Sequence, residues 1–147
     1  MAATLTPTQL MAMNFGYLTG QDLVRWCSTQ LLIKSWEVNN QALEDGCNNA
    51  YSEMTEYFAT KYDVQREFNM ISGPRQNTVV KLTAILAIRD ILGNMAGIGP
   101  VTEANYKWAD DKILDIQQGL YTLPLYGVAI TVNSGAFLVP SNYNNLG

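Results

Sequence analysis

The amino-acid sequence predicts an all-α fold: a compact helical bundle of about four main helices, with an extended N-terminal arm and a C-terminal β-hairpin and tail. Three observations carry this expectation. Apolar residues recur at spacings of three and four over most of residues 17–125. One segment, 78–95, is apolar nearly all round, as a central buried helix is. Charge is confined to the middle: the first charged side chain is Asp22 and the last is Asp115. The chain therefore divides into an arm at 1–16, a helical domain at 17–125, and a hairpin and tail at 126–147.

A length of 147 residues leaves room for one domain. The 48% hydrophobic content fills a real core, whereas the 15% charged content lies well below the usual quarter. With residues 1–21 and 116–147 free of charge, that deficit implies surface covered in an assembly, because a free soluble surface carries both signs of charge. The net charge is −4, and nine Lys and Arg are scattered from Arg25 to Lys112 without a cluster, unlike a sequence-reading DNA binder. Cys27 and Cys47 fall on apolar stripes with no CxxC, and read as buried reduced thiols. No basic region followed by an apolar stretch opens the chain, so no signal peptide is expected. The apolar run at 82–98 is interrupted by Arg89 and Asp90, too short and too charged to span a membrane.

Residues 1–16 contain Pro7 and no helical period, and Leu10, Met11, Met13 and Phe15 give this arm apolar anchors. The first helix starts at Thr19, whose hydroxyl caps it, with Asp22 completing a short-armed capping box. A break at Ser28-Thr29 precedes a second short segment holding Leu31, Leu32, Ile33 and Trp36. Asn39 or Asn40 then caps a helix running to residue 62, with Leu43, Cys47, Ala50, Met54, Tyr57, Phe58 and Tyr62 on one face. Gly73-Pro74 ends this unit, and the central helix follows. After the GIGP stop at 97–100, Thr102 caps a helix to residue 120, with a stripe of Tyr106, Ala109, Ile113, Ile116 and Leu120 and a Glu103–Lys107 pair at i,i+4. Beyond Pro124 the period changes to two, and Asn133-Ser134-Gly135 supplies turn chemistry. Val128, Ile130 and Val132 share one face of that hairpin, with Phe137 and Val139 on the return strand.

Chemistry is sparse. The chain has no histidine and no GxSxG, P-loop, GxGxxG or HExxH motif. Glu53 and Glu56 sit at i,i+3 on one helix, but a di-metal bundle needs the histidine that is missing, so they read as a solvated face. Asp110, Asp111 and Asp115 read as a solvated or interface cluster. Tyr51, Tyr57, Phe58 and Tyr62 read as core. Arg89 inside the apolar helix needs a carboxylate at the bundle edge or a subunit interface, because an unpaired buried charge is costly.

The order of segments resembles a known family. YLTGQDLVRW (17–26) resembles the opening helix of small head–tail connector proteins of tailed phages, the adaptor or head-completion family that includes small Mu-like prophage members. ALEDGCNNAYSEMTEYFATKYDV (42–64) resembles their second helix, VVKLTAILAIRDILG (79–93) their central apolar helix with its embedded arginine, and ANYKWADDKILDIQQGLYTLPL (104–125) their last. The chain departs from the family where DVQREF replaces a proline-rich turn, and in its longer ends. The resemblance implies a non-enzymatic virion protein without cofactor or metal. It would form a homo-oligomeric ring, usually a dodecamer, at the head–tail junction. There it would bind the portal protein, extend the DNA channel without specific DNA binding, and offer a platform to neck or tail proteins. Tyr126, Val128, Ile130, Val132, Phe137, Val139 and Tyr143, with Leu10, Met13 and Phe15 on the arm, are the residues expected at the portal or subunit interface. The competing expectations are another virion ring or tail-completion protein and, from a different class, a small cytoplasmic helical regulator that binds one partner. An enzyme is disfavoured by the missing histidine and motifs.

Overall fold

Everything in the structure is arranged around one helix that has no solvent side. The computed structural model describes residues 4–70, 74–125 and 127, and over these the fold is an all-α bundle with one small β element. The element order is α1 (Pro7–Met11), β1 (Asn14–Phe15), β2 (Leu18–Thr19), α2 (Gly20–Trp26), α3 (Thr29–Val38), α4 (Ala42–Tyr57), α5 (Val64–Phe68), α6 (Asn77–Leu92) and α7 (Pro100–Gln117). Along α6, Val79, Leu82, Leu92 and every residue from Thr83 to Ile88 are buried. The one hydroxyl among them, Thr83, is satisfied within the helix by the Val79 carbonyl at 2.6 Å. A helix apolar on all sides must be encased, and α2, α3, α4 and α7 pack around it.

The most extensive helix pair is α4 with α6, and glycine lets the two come close. A Cβ placed on Gly46 would lie 2.4 Å from Ile91 Cγ1 and 3.0 Å from the Ala87 carbonyl oxygen. Leu43, Cys47, Ala50 and Met54 then bury on the same face of α4, with Phe58 just past its end. Gly20 plays the same part at the N-terminus: a Cβ there would lie 1.7 Å from the Leu10 carbonyl oxygen, so α1 rests directly on the start of α2.

Several expectations hold at the residue level. Thr19 caps α2, and the box closes as expected, with the Thr19 amide donating to Asp22 Oδ2 at 2.8 Å and the Asp22 amide to Thr19 Oγ1 at 3.4 Å. Cys27 and Cys47 are free and buried. Arg89 finds its carboxylate at the bundle edge, Asp110 of α7, at 2.9 Å.

Other expectations are corrected. Residues 1–16 are not simply an extended arm. Thr6 and Gln9 form a capping box, and Pro7, whose fixed φ suits the first helical position, opens the short helix α1. The chain then pairs β1 with β2 antiparallel, Asn14 opposite Thr19 and Phe15 opposite Leu18, turning at Gly16 with φ +92°. The helix expected to reach residue 62 ends at Tyr57. Phe58 turns into the core, Asp63 accepts the Arg66 amide at 3.1 Å, and α5 begins where a loop was expected. Thr102 does not cap α7: Gly99, at φ +89°, precedes Pro100 at the first position, and Thr102 is buried within the first turn.

The far end of α7 is also earlier than expected. Gly119 at φ +81° closes it, its amide donating to the Ile116 carbonyl at 3.1 Å and the Leu120 amide to the Asp115 carbonyl at 2.8 Å. That turn carries Leu120 off the core stripe, leaving it 74% exposed. Lys107 pairs with Asp111 at 2.9 Å and not with Glu103, because Asp110 and Asp111 together make that side the more negative one.

Two substitutions test this account. Gly46→Ala should destabilise the protein by about 1–3 kcal/mol through overpacking against α6, read as a lower urea midpoint. Ile85→Asp should abolish cooperative folding, because an isolated carboxylate cannot be accommodated in that core. A wild-type melting curve for either would remove α6 from the centre of the fold.

Candidate interaction surfaces

Three polar constructions stand on this scaffold. The first is internal. Arg75, in the connection before α6, reaches back to α2 with a forked ion pair, Nη1 to Asp22 Oδ2 at 2.6 Å and Nη2 to Oδ1 at 3.1 Å. Its Nη1 also donates to the Tyr17 carbonyl at 2.9 Å, and the guanidinium lies 5.6 Å from the Tyr17 ring centre. The Tyr17 hydroxyl donates to buried Glu67 of α5 at 2.5 Å, and the same carboxylate oxygen accepts the Gln76 amide at 3.1 Å. Tyr51 closes the group from α4, accepting the Leu18 amide at 2.8 Å and donating to the Phe15 carbonyl at 2.6 Å. The network ties β1, β2, α2, α4, α5 and the connection into α6 together.

Its electrostatics follow from burial. Burial alone raises the Asp22 pKa, but the hydrogen bonds from Arg75 and the Thr19 amide outweigh it, and the net shift is downward. The Tyr17 hydroxyl is pushed well above its usual range by burial and by the Glu67 carboxylate it donates to. Burial pushes the Cys27 thiol up to about 11 and the Cys47 thiol up to about 12, so neither is a thiolate nucleophile at neutral pH.

The second construction is a groove of about 790 Å³ between α4, α5 and the β1–β2 turn. Tyr17 and Tyr51 set their rings against Phe68 along its wall, each with ring centres 5.0 Å apart. Its charged lining is Glu53, Glu56 and Asp90, with no Lys or Arg among the lining residues. Asn49 donates to Asp90 at 3.0 Å. Burial raises the Glu53 pKa, with Asp90 and Glu56 pushing the same way and Arg89 opposing.

The third is a cleft of about 420 Å³ between α2, the start of α6 and α7. Here cations alternate with aromatic rings. Arg25 lies 5.5 Å from the Trp26 ring centre, Lys81 4.8 Å from Trp26 and 3.8 Å from Trp108, and Lys112 5.8 Å from Trp108 and 4.0 Å from Tyr121. Each such contact contributes about 0.5–1 kcal/mol at an exposed site. Burial and the neighbouring Lys112 charge lower the Lys81 pKa. The basic residues that look scattered along the chain are therefore partly gathered in space. No spacing in the sequence announces this, because the ladder draws on α2, α6, α7 and the chain beyond α7.

The residues expected at an interface fare differently. Leu10 and Phe15 are buried in the chain's own core and Met13 packs against it, so Leu10 and Phe15 are not free to meet a partner. Tyr126, Val128, Ile130, Val132, Phe137, Val139 and Tyr143, with all of the hairpin at 126–140 except Gly127, lie outside the described residues. The described residues next to it are held to the bundle. Leu123 is buried, its amide donates to the Tyr62 hydroxyl at 3.1 Å, and Gly127 forms an antiparallel bridge with Tyr62. Lys61 Nζ caps the Ile116 carbonyl at 3.2 Å. Among the described residues no group of three His, Cys, Asp or Glu could hold a metal ion, and no helix is long and apolar enough to cross a membrane. No protein-family model, no curated protein and no solved structure matches this chain.

The internal network makes a pH prediction. Because the folded-state pKa of Asp22 lies below its unfolded value of about 3.9, the contribution of the pair is complete above that pH and is lost as pH falls through the folded pKa. Asp22→Asn should therefore cost about 1–2 kcal/mol at neutral pH, at the lower end for a charged hydrogen bond because Arg75 is 39% exposed. It should also flatten the acid side of the stability profile. Equal acid slopes in urea melts of the two proteins would contradict this role.

Proposed function

We propose that the chain is a structural subunit of a tailed-phage head–tail connector. Copies of it form a ring beneath the portal, extend the DNA channel and present a platform for neck or tail proteins. The observation that supports this best is the contrast in the sequence between a charge-bearing helical domain and a wholly uncharged C-terminal segment, joined where Gly127 bridges to Tyr62. The hairpin expected there has no charge to repel another strand, and an isolated two-stranded hairpin is marginal in water. Its side chains serve the connector by docking on the portal or a neighbouring copy. The sequence resemblance to connector helices supports the same reading.

Catalysis has no part in this function, and DNA passes without specific binding: the net charge of −4 repels phosphate at long range, and five of the nine cations lie against aromatic rings. Immunogold labelling of particles from the phage that encodes the chain should mark the head–tail vertex, and particles without label there would refute the assignment. Deleting residues 126–147 should leave a helical, cooperatively melting bundle that no longer joins heads. Full occupancy of heads by the truncated protein would exclude the docking role of the tail. A gel-shift titration with duplex DNA should show no salt-sensitive complex in the submicromolar range.

A further inference from the structure

The acidic groove and the cation–ring cleft lie on opposite sides of α6. Lys81 and Asp90 are nine residues apart on that helix, about two and a half turns, so their side chains leave it in opposite directions. Among the described residues, neither Glu53 and Glu56 nor Arg25, Lys81 and Lys112 form an ion pair. The carboxylate that lines the cleft, Asp22, is taken by Arg75. Glu53 and Glu56, one turn apart on α4, face a groove without a lining cation.

We propose that the cation–ring cleft of one copy seats the Glu53–Glu56 edge of a second copy, in a head-to-tail contact repeated around the ring. The inference rests on the connector reading and adds to it the surface through which neighbours meet. The charge pattern selects this geometry. A two-fold dimer through either surface would set like charges against each other, whereas a heterologous contact joins opposite charges at every step and closes into a ring when its rotation permits. The aromatic rings fit the same role. Trp26 and Trp108 are half-buried and hold Lys81 between them, so the ammonium is presented at a fixed place with apolar surface around it. Nucleic acid is the weaker occupant: the chain is acidic overall, Lys34 and Lys61 lie away from the three helices of the cleft, and Lys107 on α7 is paired with Asp111, so none of them extends the cleft into a phosphate track.

The test is charge reversal in the full chain, with assembly followed by sedimentation and native mass spectrometry, and folding checked by circular dichroism. Arg25→Glu with Lys81→Glu should raise the concentration for half-assembly by at least roughly tenfold, and so should Glu53→Lys with Glu56→Lys. An equimolar mixture of the two reversed proteins should assemble again, with the two forms alternating, because every contact in that mixture once more joins opposite charges. Wild-type assembly should weaken as salt rises, a measurement that needs no variant. If both reversed proteins assemble like the wild type, this contact is wrong while the connector reading stands. If the wild type stays monomeric at every concentration and does not mark the head–tail vertex, both fail. If reversal at Lys81 instead abolishes a duplex-DNA complex and leaves assembly unchanged, the cleft is a nucleic-acid surface and the inference is overturned.

Discussion

A helix with no polar face sets the terms for this molecule. α6 exposes little beyond its two ends and Lys81 and Arg89 at its margins, so removing it from water requires neighbours on every side. The other helices carry one apolar stripe each and meet that requirement from different directions. The approach of α4 decides how tightly the casing fits. Gly46 lets the α4 backbone settle onto Ala87 and Ile91, which brings Leu43, Cys47, Ala50 and Met54 into the same dry layer. Packing at this distance has no slack, because a protein interior tolerates little added volume.

The polar network at the other side of the core does a different job. Hydrophobic contact is non-directional and would let the N-terminal hairpin, α5 and the connection before α6 slide relative to one another. Hydrogen bonds with defined partners stop that: the Arg75 fork on Asp22, the Tyr17 hydroxyl on Glu67, and Tyr51 between the two β strands. Glu67 and Asp22 are nearly inaccessible, and each is satisfied by more than one donor. A buried carboxylate left with fewer partners would be strongly unfavourable.

Outside the core, charge is distributed by side and not by element. α7 presents Asp110 to Arg89 and Asp111 to Lys107, so two of its three clustered aspartates are neutralised within the chain. The acidic edge of α4 and the cation–ring ladder form no ion pair among the described residues, and both flank α6. Val101, Leu114 and Leu120 on and after α7, with Val38 at the end of α3, are exposed apolar side chains. These features and the uncharged segment after residue 115 are physically consistent with a chain whose surface is completed by neighbours.

Local rules were enough for much of the fold. The period of three and four marks the core face of α4, an apolar surface nearly all round marks α6 as the central helix, the Thr19–Asp22 box marks the start of α2, and an arginine in an apolar helix announces a carboxylate partner without naming it. All of these depend on residues within a turn or two of one another, or on a penalty that applies in any fold. Where several local signals compete, they mislead: Pro7 interrupts a helical period yet opens α1, Thr102 has the better capping side chain yet α7 starts at Gly99-Pro100, and Tyr62 continues the α4 stripe although Phe58 ends the helix. The tertiary structure alone decided that Leu10 and Phe15 belong to the core, that Asp110 receives Arg89, and that Arg25, Lys81 and Lys112 form one ladder with Trp26, Trp108 and Tyr121. These groupings join residues tens of positions apart, and their partners are set by how helices rotate and pack around α6, a geometry that no local spacing encodes.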